Sequence, residues 1–143
     1  MPIVWRDQMA VGVKSVDEDH RGLIDIINQF EAAVRADPSL KGTGEGTVRS
    51  LLGRLQTYVR EHFAREERMQ ASAVYPGLAE NRAEHQRLTA ELEALVSRFT
   101  AGGRAEKPLT GEEMVSFLTH WLIDHILKCD LKMKGFRFPA GQW

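Results

Sequence analysis

Four stretches of this chain repeat their apolar residues every three or four positions, each over about twenty residues, and that period fixes the fold class. The first runs from about Val16 to Ala36, with His20, Leu23, Ile24, Ile27, Phe30 and Val34 on one stripe. Ala36-Asp37-Pro38 ends it, because proline disfavours the helical region for the residue before it. Gly42, Gly44 and Gly46 are expected to form a flexible loop. The second stretch spans about Thr47 to Met69 and carries Val48, Leu51, Leu55, Val59, His62, Glu66 and Met69. After a break over Ala71 to Tyr75, Pro76 falls near the first turn of a third helix, where a missing N–H costs little. That helix continues through Leu78, His85, Leu88, Leu92, Leu95, Val96 and Phe99 until Gly102-Gly103 stops it. Thr110-x-x-Glu113 reads as a capping box opening the fourth, whose buried side is Met114, Phe117, Leu118, Trp121, Leu122, His125 and Ile126.

Four such helices with short connections predict an all-α, antiparallel up-down-up-down four-helix bundle. An N-terminal arm of about fifteen residues and a short C-terminal extension, Gly135 to Trp143, lie outside that bundle. Their aromatic residues, Trp5, Phe136, Phe138 and Trp143, suggest arms packed on it. At 143 residues and 16.2 kDa the chain suits one domain, 1–143, able to bury its own core. Nineteen Lys and Arg against twenty Asp and Glu leave a net charge of −1, which gives no reason to expect nucleic acid or an anionic membrane as partner. The apolar runs are too short to span a membrane, and Arg6 and Asp7 interrupt any signal-peptide core. Cys129 is the only cysteine, so no intramolecular disulfide forms and a reducing compartment fits. The expectation is a soluble, cytoplasmic, monomeric protein.

The anomaly is which stripes carry ionisable groups. His20, His62, Glu66 and His85 lie in register with core-facing apolar residues, as does His125 on the fourth helix. One histidine so placed is ordinarily a hydrogen-bonded core residue. Histidines on four helices are another matter, because isolated burial of such groups costs several kcal/mol without a partner or a metal. His62 and Glu66 stand four apart, on one face and one turn apart, so both can reach a common site. Glu67 is expected to point elsewhere as a solvated charge, like the rest of the run Arg65 to Arg68. His125 and Asp130 are five apart, a spacing that an α-helix turns about 140° out of alignment. If both serve one site, the helix must widen locally, as in a π-bulge, or loosen at its end. Nitrogen and oxygen donors suit iron, manganese or zinc, and two carboxylates available to bridge favour a metal pair. Neither the Glu-x-x-His pairs of ferritin-like bundles nor a His-Glu-x-x-His motif is present.

Gly12-Val13-x-x-Val16-Asp17-x-Asp19-His20, His62-x-x-x-Glu66, Tyr75-Pro76 leading to His85, and Trp121-Leu122-x-x-His125-x-x-x-x-Asp130 together resemble the bacterial hemerythrins over nearly the whole chain. That resemblance implies a four-helix bundle with two non-haem iron ions, a bridging oxo or hydroxo group, and dioxygen as ligand and partner. It implies His20 and His62 on the iron with an open place, His85 and His125 on the other, and Glu66 and Asp130 bridging. Leu23, Ile24, Trp121, Leu122 and Ile126 are candidates for an apolar lining, or simply core.

The chain departs from the family at position 81, where Asn81 stands in place of the first histidine of His-x-x-x-His. Its carboxamide is expected to coordinate through oxygen, to hold a water, to leave a gap, or merely to be polar at a helix start. Asp19 replaces a common glutamine and Met133 a common tyrosine. His120, the fifth histidine, lies off the stripe and is expected at the surface or behind the ligands. The resemblance implies an oxygen carrier, sensor or delivery protein more than an enzyme. The alternatives are a di-iron redox enzyme acting on peroxide or nitric oxide, and a metal buffer with an incomplete site.

Overall fold

Where each helix starts and stops follows from local chemistry. A computed structural model of the chain describes residues 2–38 and 43–139, so the expectations for Gly42 and Trp143 lie outside the described residues. Helix α1 is Lys14–Ala36, α2 Thr43–Ser72, α3 Leu78–Ala101 and α4 Gly111–His120. The capping box is present: Thr110 accepts from the Glu113 N–H while Glu113 accepts from the Thr110 N–H. At the end of α3, Gly102 adopts φ +55°, a left-handed conformation that glycine reaches at little cost. α2 begins earlier than its apolar period suggests. Gly44 and Gly46 lie inside it, not in a loop, because the buried stripe from Val48 onward holds the whole helix against α1 and outweighs their weak propensity.

The four helices form an antiparallel up-down-up-down bundle, α1 packing on α2 and α4, and α3 on α2 and α4. Its core is continuous, from Leu23, Ile27 and Phe30 of α1 through Leu52 and Leu55, Leu88 and Leu92, to Met114, Leu118 and Trp121. Burying each such aliphatic side chain contributes about 1.5–3 kcal/mol. Gly22 permits a close approach: a Cβ there would lie 2.0 Å from the Tyr58 hydroxyl, so only glycine lets that ring lie across α1 as it does.

α4 does not end at His120. It continues as a π-helix over Trp121–Leu127, then one α-turn, Lys128–Asp130, and a 3-10 turn, Leu131–Met133. This is the local widening that the spacing of His125 and Asp130 requires if both are to face one side, and it turns Asp130 fully inward.

The N-terminal arm packs along α1, and the C-terminal extension packs near the start of α3. Asn28 exchanges two hydrogen bonds with the backbone of Ile3, and Arg21 lies over the Trp5 ring. The carboxylate of Asp17 accepts from the N–H groups of Val11 and Gly12. Val11, Val16, Met69 and Met133 form a second apolar cluster, with Tyr75 and Phe138 packed against it. Phe136 and Phe138 sit 5.0 and 5.6 Å from Tyr75, as expected of a packed C-terminal extension. No helix among the described residues is long and apolar enough to cross a membrane.

Candidate metal centre

Between the main core and the smaller cluster lies a layer of buried polar side chains. α1 supplies His20, one turn beyond Val16; α2 supplies His62 and Glu66, one turn before Met69; α3 supplies Asn81 and His85; the fourth helix supplies Asp130, one turn before Met133. One donor atom from each of His20, His62, Glu66 and Asp130 lies within 4.8 Å of the others, and all four residues are buried.

Asp130 is the hinge of this cluster. Its Oδ2 is 2.6 Å from His20 Nε2 and 3.2 Å from His62 Nε2, and His62 Nε2 is also 3.1 Å from Glu66 Oε2. Burial pushes the Asp130 carboxyl up, but hydrogen bonds from His20, His62 and Glu66 outweigh that and hold it far below the ordinary range. Glu66 is shifted the other way, by burial and by the charge of Asp130, against the pull of His62 and His85. Burial lowers the affinity of His62 for a proton, yet hydrogen bonds to Asp130, Asp19 and Glu66 raise it well above the usual value. The two acids therefore carry unequal protonation, one ionised and one inclined to hold its proton. A cation would replace the protons as the compensating charge.

His62 and His85 are each held from behind. His62 Nδ1 is 2.9 Å from Asp19 Oδ2, and Arg65 grips the same carboxylate with Nε at 3.2 Å and Nη2 at 2.7 Å. His85 Nδ1 is 2.9 Å from Glu67 Oε2, and Arg82 Nε reaches Glu67 Oε1 at 3.2 Å. A carboxylate on Nδ1 fixes the ring so that Nε2 faces inward, the arrangement that orients metal-binding imidazoles. The ring of His85 also stacks on Phe63, centroids 3.9 Å apart and nearly parallel at 7°. Burial works against a proton on His85, while Glu66 and Glu67 raise its pKa above the usual value.

These partners were not legible in the sequence. Glu67 is half-buried on His85, not merely solvated, and Arg65 clamps Asp19. The adjacency of each carboxylate to a buried donor (Asp19 before His20, Glu67 after Glu66) was the available signal, since neighbours in a helix lie on the flank facing the next helix.

The α3 side of the cluster is built differently. Asn81 is buried; its Nδ2 donates to Glu66 Oε1 at 3.3 Å, and its Oδ1 accepts from the Cys129 thiol at 3.1 Å. Asn81 is therefore more than a polar residue at a helix start. Burial, with Asp130 and Glu66 nearby, pushes the Cys129 thiol up to about 12. His85 Nε2 lies 3.3 Å from Glu66 Oε1. His125 is not brought into the cluster. Its ring is half-exposed, accepts from Arg87 at 3.4 Å, and stands edge-on to His120 at 5.3 Å. The exposed carboxylates and guanidinium beside the fourth helix draw it toward the surface, although the π-helix carries it. His120 is exposed and paired with Asp124, as expected.

Three atoms test whether these residues fit a metal. His20 Nδ1 is buried without a hydrogen-bond partner, and Glu66 Oε2 and His85 Nε2 have only poorly aligned contacts, with His62 Nε2 at 3.1 Å and Glu66 Oε1 at 3.3 Å; a cation in contact with Glu66 and His85 would satisfy those two better. Imidazole nitrogens and carboxylate oxygens are the donor set of iron, manganese or zinc. The residues fit.

Fold and donor set together define a metal-binding four-helix bundle, with buried polar side chains contributed by each helix. Comparison with known proteins makes the class specific. The model of the hemerythrin HHE cation binding domain matches residues 11–136, and the chain belongs to the hemerythrin family. It is 30% identical over 139 residues to a myohemerythrin of Riftia pachyptila, covering 94% of this chain and 92% of that one. It is 27% identical over 124 residues to a bacteriohemerythrin of Stenotrophomonas maltophilia, covering 87% and 74%, respectively. A bacteriohemerythrin of Clostridium acetobutylicum is 25% identical over 127 residues, covering 89% and 95%.

Proposed function

We propose that the chain is a dioxygen-binding, non-haem di-iron protein, with His20, His62, Glu66, His85 and Asp130 as iron ligands and Asn81 and His125 beside them. The observation that carries this reading is the convergence of two imidazoles and two acids, all buried, within 4.8 Å, inside the stretch 11–136 that the family's model matches. Two ferrous ions held by these residues would supply the electrons with which dioxygen is held reversibly.

The chain's own residues set the conditions for that. Asp19 and Arg65 orient His62, while Glu67, Arg82 and Phe63 orient His85. Glu66, whose carboxyl burial and the charge of Asp130 push up, is the acid inclined to hold a proton when no cation is present and would release it when one binds, whereas Asp130 stays ionised. Leu23 and Ile24, about one turn from His20, and Ile126, one turn from Asp130, are buried together with Trp121 and Leu122 and exclude water from the polar layer. Trp121 is locked in place by the bond from its indole N–H to the Leu88 carbonyl, 3.2 Å.

The test is metal analysis of iron-loaded protein together with its ultraviolet–visible spectrum, reduced without air and then exposed to oxygen. Two irons per chain and a spectral change reversed by removing oxygen are expected. Irreversible conversion to the ferric form would overturn oxygen binding in favour of redox turnover of peroxide or nitric oxide. One metal per chain would favour a buffer.

A further inference from the structure

The seams between helices around the polar layer are not closed alike. Between α1 and α2, two bonds from Arg65 hold Asp19, and Val59 and Phe63 are buried. Between α2 and α3, Glu67 is tied to Arg82 and the Phe63 ring stacks on His85. Leu23, Trp121 and Leu122, on α1 and the fourth helix, leave nothing exposed. The seam between α3 and the fourth helix differs. From His125 onward its described cross-links are polar: Arg87 to the His125 ring at 3.4 Å, Lys132 to Glu80 at 3.8 Å, and between them the Cys129 thiol to Asn81 Oδ1 at 3.1 Å. A groove of about 210 Å³ opens there, lined by Glu80, Glu84, Asp124, Lys128 and Cys129 among others. Its floor is thin. Behind the thiol stands Asn81, whose Nδ2 donates to Glu66 Oε1 at 3.3 Å, so two side chains separate solvent from a buried acid of the centre.

We propose that this seam is the route by which divalent metal ions enter and leave the buried centre, and that the Cys129–Asn81 contact is its gate. Such a route presupposes the metal centre proposed above. His20, His62, Glu66, His85 and Asp130 are all buried, so an ion reaches them only when some contact opens. A thiol is a weak donor and an amide a neutral acceptor, so this contact parts more readily than the doubly bonded ion pair of Arg65 and Asp19. Charge points the same way. Glu80, Glu84 and Asp124 set three carboxylates along the groove, and a fourth, Glu66, lies at its inner end. Of the two lysines there, Lys132 leans on Glu80. A cleft with more acid than base raises the local concentration of cations, and a dication moves along it from carboxylate to carboxylate without crossing apolar surface. The amide at position 81, shorter than an imidazole, lets the groove end this close to Glu66. The gate is a positioning contact and holds no metal itself.

The experiment mixes cobalt(II) with the metal-free full-length chain under nitrogen and follows loading by visible absorption in stopped flow. Release is followed after adding EDTA, and bound cobalt is counted at equilibrium. In Cys129→Ala the gate contact is gone: loading and release both quicken about fivefold, by the same factor, and affinity is unchanged, because a gate alters the barrier and not the bound state. Glu84→Lys reverses one charge in the groove and slows loading about tenfold at low salt, less as salt is added. Glu61→Lys makes the same reversal at an exposed place on α2 and leaves loading within about twofold of the native rate. Circular dichroism shows the helices intact in all three. Equal loading rates in the two lysine variants, or release from Cys129→Ala no faster than from the native chain, overturn the route, and cobalt bound at equilibrium leaves the metal centre standing. A native chain that binds no cobalt at equilibrium overturns the metal centre, and the route with it.

Discussion

The two sides of the polar layer are held by the same device to different degrees. On the His62 side, the orienting carboxylate, Asp19, is gripped twice by Arg65, and the imidazole it holds is fully buried between Asp130 and Glu66. On the His85 side, Glu67 is gripped once by Arg82, the position of a second imidazole is an amide, and His125 faces solvent. One side is a preformed nitrogen and oxygen site; the other is loosely tied and open to a groove. Preorganisation sets how tightly a metal is held before any difference in ligand identity is counted.

The largest effect that breaks this asymmetry is His62→Ala. It removes the one imidazole that touches both buried acids, and affinity for the first metal equivalent should fall by more than the roughly hundredfold typical of losing an outer-sphere partner. Isothermal titration of the variant measures it, and unchanged affinity would mean that the Asp130 side is not a site.

A finer comparison sets Asp19→Asn against Glu67→Gln. Each keeps size and loses charge behind one imidazole. Losses of about 10- to 100-fold are expected, larger for Asp19→Asn because its doubly gripped carboxylate has no substitute. Equal losses in the two variants would erase the asymmetry.

Acidity sharpens it further. In the metal-free chain, the pKa values of His62 and His85 lie above the usual 6.5, so their pairing with the acids stabilises the fold fully below 6.5 and is lost as pH rises through the raised values. Asp130, with a lowered pKa, contributes above 3.8 and loses that contribution as pH falls through its folded value. Thermal melts of the metal-free protein should therefore decline on going alkaline, and those of the metal-loaded protein should not, because the metal holds the deprotonated rings. Parallel profiles would contradict the exchange of protons for metal.

The smallest effect is expected at the far end of the bundle. Thr110→Ala removes the cap of α4 and should cost about 1 kcal/mol in denaturant unfolding, with metal content unchanged. A change in metal content would tie that cap to the centre.

The bundle was legible because burial imposes its period directly on the sequence: the stripes of Leu23, Ile27 and Phe30, or Met114, Leu118 and Trp121, are the core. Three of the four converging donors, His20, His62 and Glu66, were legible for the same reason, as polar residues on apolar stripes, whereas Asp130 was off any regular stripe and followed from the family resemblance. What could not be read depends on contacts between helices far apart in sequence. Cys129 meets Asn81 across 48 positions, and His62 meets Asp19 across 43. The early start of α2 was hidden because Gly44 and Gly46 argue locally against a helix that tertiary packing sustains. His125 sits on the expected helix, but which way its ring turns is decided by Arg87 on α3, a pairing no spacing encodes.

The widened turns over Trp121–Leu127 have a consequence for how this sequence can drift. They act as a phase shifter: a helix of ordinary pitch would advance about 100° per residue, so trimming a single position there would swing everything downstream by that angle. Trp121 and Leu122 could then keep their seats only if the acid eight or nine places later swung away from the imidazoles. Length changes near Gly103 should pass almost unnoticed, whereas one missing residue in this heptapeptide would uncouple the two ends of the helix without altering any side chain of the buried polar layer.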